Sequence, residues 1–530
     1  MGFLRRRENN QAKNNDPPSI EAGPEVLGQA EEVTEQLIFR EHYPIVEPYS
    51  RVAIAEDREG NLRYLLLEPT LTEEDEEKLK EIKDILWDEL NVNVKDILSK
   101  TDAEKFLREM VEYISLKYNL KVEPHTLDKY QYYITRDFLN FGKIDGMMRD
   151  QMIEDISCDG AGYPIYVWHR SYESIPSNVV FKDAEELDSF ILRLAYLCGR
   201  HISIAQPLLD GTLPDGSRVQ LTFGSEVTPR GSTFTIRKFR ANPLTITDLI
   251  MNKTLSPEMA AYFWFLIENR HSVMIGGDIG GGKTTMLNCF GLFIRPNLKI
   301  VSIEDTQEIK LPHENWQIMV TRQGLDVGAG AIGERGRGAI SMFDLLRAAL
   351  RQRPDYIIVG EIRGEEAYAL FQAMSTGHLG LTTVHAEHVQ GVLHRLTTKP
   401  MDIPPTLVEN LDAIAIVRRL VVENVSKRRT IMVHEMGGLD PETGKFITHP
   451  IFEWDAASDS YRSVGESIIL KEISKQGVYT LEGIQEELEK RKIILEYMVR
   501  NNIRTFDEVT SVIMQYFQDP DAVYRKARVS

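Results

Sequence analysis

A glycine-rich stretch follows a short apolar run near the middle of the chain. GGDIGGGKTT, Gly276 to Thr285, comes directly after HSVMI and matches the pattern G-x-x-x-x-G-K-[ST]. Glycines let successive backbone N–H groups turn around phosphate oxygens, the lysine supplies a charge near the outer phosphates, and the hydroxyl of Thr284 suits Mg²⁺. The residues predicted to bind a nucleotide through its phosphates are Gly277, Gly280, Gly281, Gly282, Lys283, Thr284 and Thr285.

One residue of this stretch, Asp278, is unusual for a loop that receives phosphate. Its carboxylate could face solvent, or it could weaken nucleotide binding because like charges repel. The sequence leaves both possibilities open.

Acidic groups follow two other apolar runs further along the chain. DYIIVGEIRG carries Glu361 at the end of its apolar run, and VSIEDTQE carries Glu304 and Asp305 in the same way. Such acids beside a phosphate loop are typical partners of Mg²⁺ and of the attacking water. We therefore predict a Mg²⁺ site that uses Thr284 and Glu361, with Glu304 as a second catalytic acid.

Two histidines flank a further apolar run, TGHLGLTTVHAEH, at positions 378 and 385. A single histidine is more often a structural residue than a functional one. Because this pair flanks a strand of the same predicted sheet, we expect one of them to donate a hydrogen bond to the γ-phosphate.

Four apolar runs in this region must position these groups: HSVMIGG, LKIVSIED, DYIIVGE and GLTTVHA. Each is short and ends in a polar group, and helical stretches separate them. Strands that alternate with helices predict a parallel sheet, and the chemistry of such sheets gathers at the carboxyl ends of the strands.

The rest of the chain differs in composition from region to region. LTEEDEEKLKEIKDILWDELNV has apolar residues at helical spacing after a possible Thr72 cap, whereas PIYVWH, SRVQLTF and STFTIRKF favour strands. We predict a disordered tail in 1–32, a mostly helical region in 33–125, a smaller α/β domain in 126–240, a linker in 241–250, the core with the phosphate loop in 251–425, and a C-terminal hairpin and helical subdomain in 426–530.

Composition excludes several classes of protein. The chain has 530 residues and a formal net charge of −18, which argues against a general nucleic-acid binder. No apolar stretch is long enough to span a bilayer and the start lacks the apolar core of a signal peptide, so we expect a cytoplasmic protein. Its three cysteines lie far apart and predict neither a disulfide framework nor a zinc site.

Together, four stretches resemble the Walker A, Asp box, Walker B and His box of the type II/type IV secretion ATPase superfamily: GGDIGGGKTT, SIEDTQE, LLRAALRQRPDYIIVGEIRGEEA and STGHLGLTTVHA. Upstream, MIEDISCDGAGYPIYVWHR and GSTFTIRKF resemble the amino-terminal domain of its archaeal branch, whose members drive archaella or assemble type IV pili. The resemblance covers roughly residues 45–425 and implies an α/β fold with a RecA-like P-loop ATPase domain.

The resemblance also implies an assembly and a set of roles. Members form hexameric rings, act on a polytopic membrane platform protein, and are held at the inner face of the membrane through that partner. ATP and Mg²⁺ would be bound by Lys283 and Thr284, with His385 on the γ-phosphate and Glu304 and Glu361 sharing the metal and the water. Two further residues, Arg218 in DGSRV and Arg237 in FTIRKF, match arginines that stabilise the transferring phosphoryl group. Many bacterial members carry a four-cysteine zinc module, for which three scattered cysteines do not suffice.

The resemblance leaves several functions open. VWHRSYESIPSNVVF and LPHENWQIMVTR favour an archaellum motor, and the alternative within the family is a pilin-assembly or type II-like secretion ATPase. From other classes, a nucleic-acid translocase would share the loop and the ring, and a nucleotide-gated scaffold would bind ATP without hydrolysing it. The net charge speaks against the first, and intact Glu304 and Glu361 speak against the second.

Overall fold

The chain forms two compact units. The structure, a computed structural model, describes residues 37–89, 100–120, 122–239, 242–322, 338–422 and 425–529. The first unit comprises Met1–Leu209 and Val219–Lys238, and the second comprises Asp210–Arg218 and Phe239–Ser530. The predicted tail, 1–32, lies outside the described residues. No helix among the described residues is long and apolar enough to cross a lipid bilayer.

The first sheet has nine strands in the order β1-β2-β3-β6-β5-β4-β9-β8-β7. The strands are β1 (Ile38–Val46), β2 (Ser50–Glu56), β3 (Leu62–Leu67), β4 (Ile153–Cys158), β5 (Pro164–His169), β6 (Glu173–Val180), β7 (Leu208–Thr212), β8 (Arg218–Thr222) and β9 (Thr233–Arg237). The helices of this half are α1 (Glu73–Glu89), α2 (Lys100–Lys117), α3 (Pro124–Phe138), α4 (Asp145–Arg149) and α5 (Ala184–Leu197), with a 3-10 turn at Gly142–Ile144.

The region 33–125, predicted to be mostly helical, begins with strands. β1, β2 and β3 form an antiparallel meander over 38–67, and the described helices of the region are α1, α2 and the first two residues of α3. Burial explains why the sequence did not reveal these strands. The apolar runs of β2 and β3 are buried on both faces, so they lack the alternation that marks a half-exposed strand. The turn between them is closed by Asp57, whose carboxylate accepts from the backbone N–H of Glu59 and Asn61.

The predicted helix that follows is present as α1. Thr72 caps it, because its hydroxyl accepts a hydrogen bond from the backbone N–H of Asp75 at 3.2 Å. Leu79, Ile82 and Leu86 are buried along one face and pack with apolar residues of α2 and α3. The helical spacing of the sequence therefore identified this face correctly.

The second sheet also has nine strands, in the order β12-β11-β13-β14-β10-β15-β16-β17-β18. They are β10 (Val273–Gly277), β11 (Ile300–Glu304), β12 (Trp316–Val320), β13 (Tyr356–Val359), β14 (Leu379–His385), β15 (Ala413–Val422), β16 (Val425–Leu439), β17 (Phe446–Asp455) and β18 (Ser460–Ser463). The helices are α6 (Ile246–Met251), α7 (Pro257–Glu268), α8 (Lys283–Gly291), α9 (Met342–Leu350), α10 (Glu365–Ser375), α11 (Val389–Thr397), α12 (Pro405–Val408), α13 (Ile468–Lys475), α14 (Leu481–Arg500), α15 (Phe506–Gln518) and α16 (Pro520–Val529).

Six strands of this sheet, β10 to β15, run parallel, and β16 to β18 continue it in antiparallel hairpins. The four apolar runs singled out in the sequence are β10, β11, β13 and β14, so the predicted parallel sheet is confirmed. Because the strands are parallel, their carboxyl ends lie along one edge.

The hairpins and helices predicted after residue 425 are present, and they share one hydrophobic core with the parallel sheet. Trp264 of α7 stacks on Phe293 with ring centroids 5.2 Å apart and meets Tyr516 of α15 edge-on at 4.8 Å. All three rings belong to one cluster that also contains buried residues of β10 and β13. The C-terminal helices thus cover one face of the sheet that carries the phosphate loop.

Candidate nucleotide-binding site

The phosphate loop joins the end of β10 to the start of α8, where the sequence predicted a strand, a loop and a helix. Gly277 ends the strand, and a Cβ there would lie 2.1 Å from the carbonyl oxygen of Val417 on β15. Gly282 precedes the helix with φ of 96°, in the left-handed region that favours glycine. Gly277 is therefore required by the close packing of the strands, and Gly282 by its backbone conformation. Without side chains at these positions, the backbone of the loop remains available to a ligand.

Lys283 is the first residue of α8 and its side chain is buried. Its ammonium donates to the carbonyl oxygens of Gly277 at 3.2 Å and Asp278 at 2.8 Å. The amine therefore lies across the loop, as a phosphate-binding lysine must. Thr284 and Thr285 follow in the same first turn, so their backbone N–H groups lie at the N-terminus of the helix, where anions are favoured.

The catalytic candidates lie at the same edge of the sheet as the loop. In the parallel register His385 of β14 is opposite Gly277 of β10, and Glu304 ends β11. Glu361 lies two residues beyond the end of β13, the strand between β11 and β14. With about 4.8 Å between neighbouring strands, the strands β10 and β11 that end at Gly277 and Glu304 lie roughly 14 Å apart, which long side chains and a triphosphate can span. The structure thus brings together the four groups that the sequence motifs predicted.

Glu304 has an enclosed carboxylate of which one oxygen accepts hydrogen bonds and the other does not. One oxygen, Oε1, accepts from the backbone N–H groups of Glu308 at 3.0 Å and Ile309 at 3.1 Å. The other, Oε2, is buried and has no hydrogen-bond partner among the described residues. Burial raises the pKa of Glu304 to about 7, although the two N–H groups act in the opposite direction. This carboxylate is therefore suited to accept a proton near neutral pH.

Glu361 is held by a neighbouring arginine. Its Oε2 accepts from Arg363 at 2.5 Å, and Arg363 also lies 3.9 Å from a carboxylate oxygen of Asp305. The second oxygen of Glu361, Oε1, is buried without a hydrogen-bond partner among the described residues. Unsatisfied carboxylate oxygens are rare in native structures, and oxygen donors of this kind are those that Mg²⁺ prefers. The residues present therefore fit the predicted Mg²⁺.

The two histidines of the predicted His box lie at opposite ends of β14. His385 ends the strand at the edge with the phosphate loop, whereas His378 precedes it and contacts Thr376. The two histidines are seven positions apart along extended chain, a separation of roughly 23 Å, so of the pair His385 is the one that can reach the phosphates. Burial, and next the ammonium of Lys283, lower the pKa of His385. The imidazole is therefore neutral at pH 7 and offers one N–H donor.

Sequence reasoning missed two arginines that contact the loop. Arg418 Nε donates to Oδ2 of Asp278 at 3.3 Å, and Arg428 Nε donates to the carbonyl oxygen of Gly280 at 3.0 Å. They lie on β15 and β16, which pair in an antiparallel hairpin beside β10. The only sequence signal is the doubled arginine in both strands, VRRLV and SKRRT, and nothing in it indicates that they reach the loop.

The two arginines predicted to act on the transferring phosphoryl group lie in the first sheet. Arg218 begins β8 and Arg237 ends β9, and these strands are neighbours. Arg237 is opposite Asp155 of β4 in the antiparallel register, and its charge partly offsets the raised pKa that burial gives this carboxyl group. Their part in phosphoryl transfer remains a prediction.

Known proteins resemble this chain over much of its length. The family model described as "Type II/IV secretion system protein" matches residues 140–505. An uncharacterized protein of Methanocaldococcus jannaschii is 36% identical over 504 residues, covering 90% of this chain and 88% of that protein. The type IV secretion system protein PtlH of Bordetella pertussis is 29% identical over 287 residues, covering 48% of this chain and 82% of that protein.

Among solved structures, the Legionella pneumophila ATPase DotB is 16% identical, with 77% of this chain and 97% of that chain covered at a TM-score of 0.39. The pilus retraction motor PilT with bound ADP is 18% identical, with 63% and 93% covered at a TM-score of 0.36. The family match spans well over half of the chain and includes the phosphate loop, both acids and His385. The chain is therefore a member of the type II/IV secretion system protein family, with an α/β fold whose parallel sheet carries the phosphate loop.

Proposed function

We propose that this protein is a Mg²⁺-dependent ATPase. The observation that carries the proposal is the alignment of the phosphate loop, Glu304, Glu361 and His385 along one carboxyl edge of a parallel sheet. Phosphoryl transfer to water needs little covalent help from the protein, because positioning and charge stabilisation supply most of the rate enhancement. This edge offers both.

We assign roles from the surroundings of each side chain. Lys283 and the first turn of α8 bind the phosphates, and the neutral His385 donates to the γ-phosphate. Thr284 and Glu361 would hold Mg²⁺, which would supply positive charge to offset the charge of the phosphates. Glu304 takes the proton of the attacking water as the new P–O bond forms and the bond from the γ-phosphorus to the bridging oxygen breaks. Its raised pKa, about 7, supports this role.

Beyond the single chain, we propose a homo-hexameric ring at the inner face of the cell membrane. Membership of a secretion-system family supports this, together with a site whose predicted arginines, Arg218 and Arg237, lie in the first sheet. In the ring these two residues close the site around the transferring phosphoryl group. The partner that holds the ring at the membrane is a polytopic platform protein, and nucleic acid is not a substrate.

We further propose that hydrolysis drives domain motion that powers a filament, either an archaellum or a type IV pilus. A pilin-assembly or type II-like secretion role would use the same chemistry. Similarity to an archaeal protein over most of the chain supports the archaeal branch. Partner identification by co-purification from native membranes would separate these roles.

The test of the proposed activity compares glutamine variants of the two acids. Glu304→Gln and Glu361→Gln should each lower the rate of phosphate release about 100-fold or more, because a general base or a metal ligand is lost. Glu304→Gln should still bind the Mg²⁺ complex of a non-hydrolysable ATP analogue. The matched control is Glu314→Gln, an exposed acid shortly after β11. If wild-type protein binds the analogue but releases no phosphate, the chain is a nucleotide-gated scaffold and the proposal is wrong.

A further inference from the structure

The acidic residue in the phosphate loop has a cationic partner. Oδ2 of Asp278 accepts from Arg418 Nε at 3.3 Å, while its Oδ1 is buried without a hydrogen-bond partner among the described residues. Arg418 is shared with one other acid, since its Nη2 lies 3.4 Å from a carboxylate oxygen of Glu387. Glu387 is largely exposed, so the enclosed partner of Arg418 is Asp278.

The position of Arg418 is fixed by the sheet. Val417, the residue before it, is opposite Gly277 in the parallel register of β10 and β15, so Arg418 lies directly beside the loop that starts at Asp278. Across the hairpin its partner is Arg429, which is buried and forms a two-point ion pair with Asp459 at 2.7 and 2.9 Å. Pairing with β10 on one side and β16 on the other therefore fixes the backbone of Arg418 beside the loop.

A phosphate loop with an uncompensated carboxylate would repel its ligand. A nucleoside triphosphate brings several negative charges to the loop at Gly280 and Gly282, within a few residues of Asp278. Charges that share a partly enclosed site interact more strongly than charges in water. The guanidinium of Arg418 supplies the compensating charge from within the same chain.

We infer that Arg418 is a positioning residue for nucleotide binding: it neutralises Asp278, and this pair sets the affinity of the loop for nucleoside phosphates. The inference rests on the proposed function and explains how the loop tolerates an acid. Arg418 acts through Asp278 and does not bind the phosphates itself. Removing the acid should therefore remove the need for the arginine.

A double-mutant cycle tests this directly, with the dissociation constant of Mg²⁺-ADP measured by calorimetry on the full chain. Arg418→Gln should weaken binding about tenfold or more, because a half-enclosed carboxylate loses its partner. Asp278→Asn should bind as well as wild type or better. The double variant, Asp278→Asn with Arg418→Gln, should return to within about threefold of Asp278→Asn alone.

Two further readouts separate this role from a merely structural one. Arg418→Lys keeps the charge and should bind within about threefold of wild type, and the loss in Arg418→Gln should shrink between 50 and 500 mM salt because repulsion is screened. The matched control is Arg462→Gln, which removes an exposed arginine of β18 that pairs with Glu453. It should leave binding unchanged.

The possible results are distinguishable. If wild-type protein does not bind Mg²⁺-ADP, both the proposed function and this inference are wrong. If wild type binds and the double variant is as weak as Arg418→Gln alone, the proposed function stands and the inference is overturned. The inference is likewise overturned, and the proposed function stands, if Arg418→Lys binds Mg²⁺-ADP as weakly as Arg418→Gln although Arg418→Lys unfolds at the same temperature as wild type.

Discussion

At the scale of single residues, the site depends on a contrast between its two acids. Glu361 is held by the guanidinium of Arg363, whereas one oxygen of Glu304 accepts from backbone N–H groups and the other is enclosed without a hydrogen-bond partner among the described residues. The first environment suits a metal ligand that is oriented by its neighbour, and the second favours a carboxylate that exchanges a proton near neutral pH. The two acids are therefore suited to different roles, Glu361 to binding a metal ion and Glu304 to accepting a proton from water.

This contrast predicts that the free energy of unfolding depends on pH through the protonation of Glu304. Its pKa is raised from the usual 4.5 to about 7 in the folded protein, so the folded state binds the proton more tightly than the unfolded state does. Stability is consequently lost as the pH rises between these values, by up to about 3 kcal/mol. Without nucleotide, the free energy of unfolding of Glu304→Gln relative to wild type should rise by roughly that amount between pH 4.5 and pH 8.

The measurement is chemical denaturation across this pH range, with Glu314→Gln as the control. The absolute difference at one pH is not decisive, because the glutamine amide introduces its own unsatisfied hydrogens. A relative stability of Glu304→Gln that stays constant from pH 4.5 to pH 8 would show that the carboxyl group is not buried as described.

At the scale of elements, the phosphate loop depends on the close approach of β10 and β15. A Cβ at Gly277 would meet the Val417 carbonyl oxygen at 2.1 Å, and backbone atoms cannot give way as a flexible side chain can. Gly277→Ala should therefore destabilise the protein by several kcal/mol and abolish nucleotide binding.

A second glycine provides the matched control. Gly391 lies within α11, and a Cβ there would meet nothing closer than the His388 ring at 3.4 Å. Gly391→Ala should stabilise the protein by about 0.5–1 kcal/mol, because alanine loses less backbone entropy in a helix. Thermal unfolding of both variants checks the pair. Equal effects of the two substitutions would contradict the described packing of β10 on β15.

The elements also show which parts of the site the sequence could predict. Lys283, Glu304, Glu361 and His385 each belong to a local motif at the end of an apolar run, and a parallel sheet brings such ends together. Arg418 could not be predicted in this way. Its place beside Asp278 depends on the register of strands 140 residues apart in sequence, which no local pattern encodes.

The strands of 38–67 illustrate the same limit in the fold. Their burial on both faces comes from the sheet and the helices around them, so short apolar runs such as AIA and YLLL gave no alternation to recognise. By contrast, α1 was predicted correctly because its buried face repeats at helical spacing within one segment. Local periodicity is therefore sufficient to predict a half-exposed helix but not to predict a fully buried strand.

At the scale of the whole molecule, the chain consists of two compact units and one complete set of phosphate-loop motifs in the second. The proposed ring adds arginines of the first sheet, Arg218 and Arg237, to that set. If neighbouring chains complete each site, the activity per molecule must depend on assembly. An isolated chain would then bind ATP but hydrolyse it slowly.

The measurement that tests the central claim most directly is the release of phosphate from Mg²⁺-ATP across a series of protein concentrations, with wild type beside Lys283→Ala and Arg218→Ala. We predict steady release by wild type, specific activity that climbs with concentration, and a loss of about 100-fold or more in both variants. If wild-type protein binds ATP but releases no phosphate, the account is contradicted.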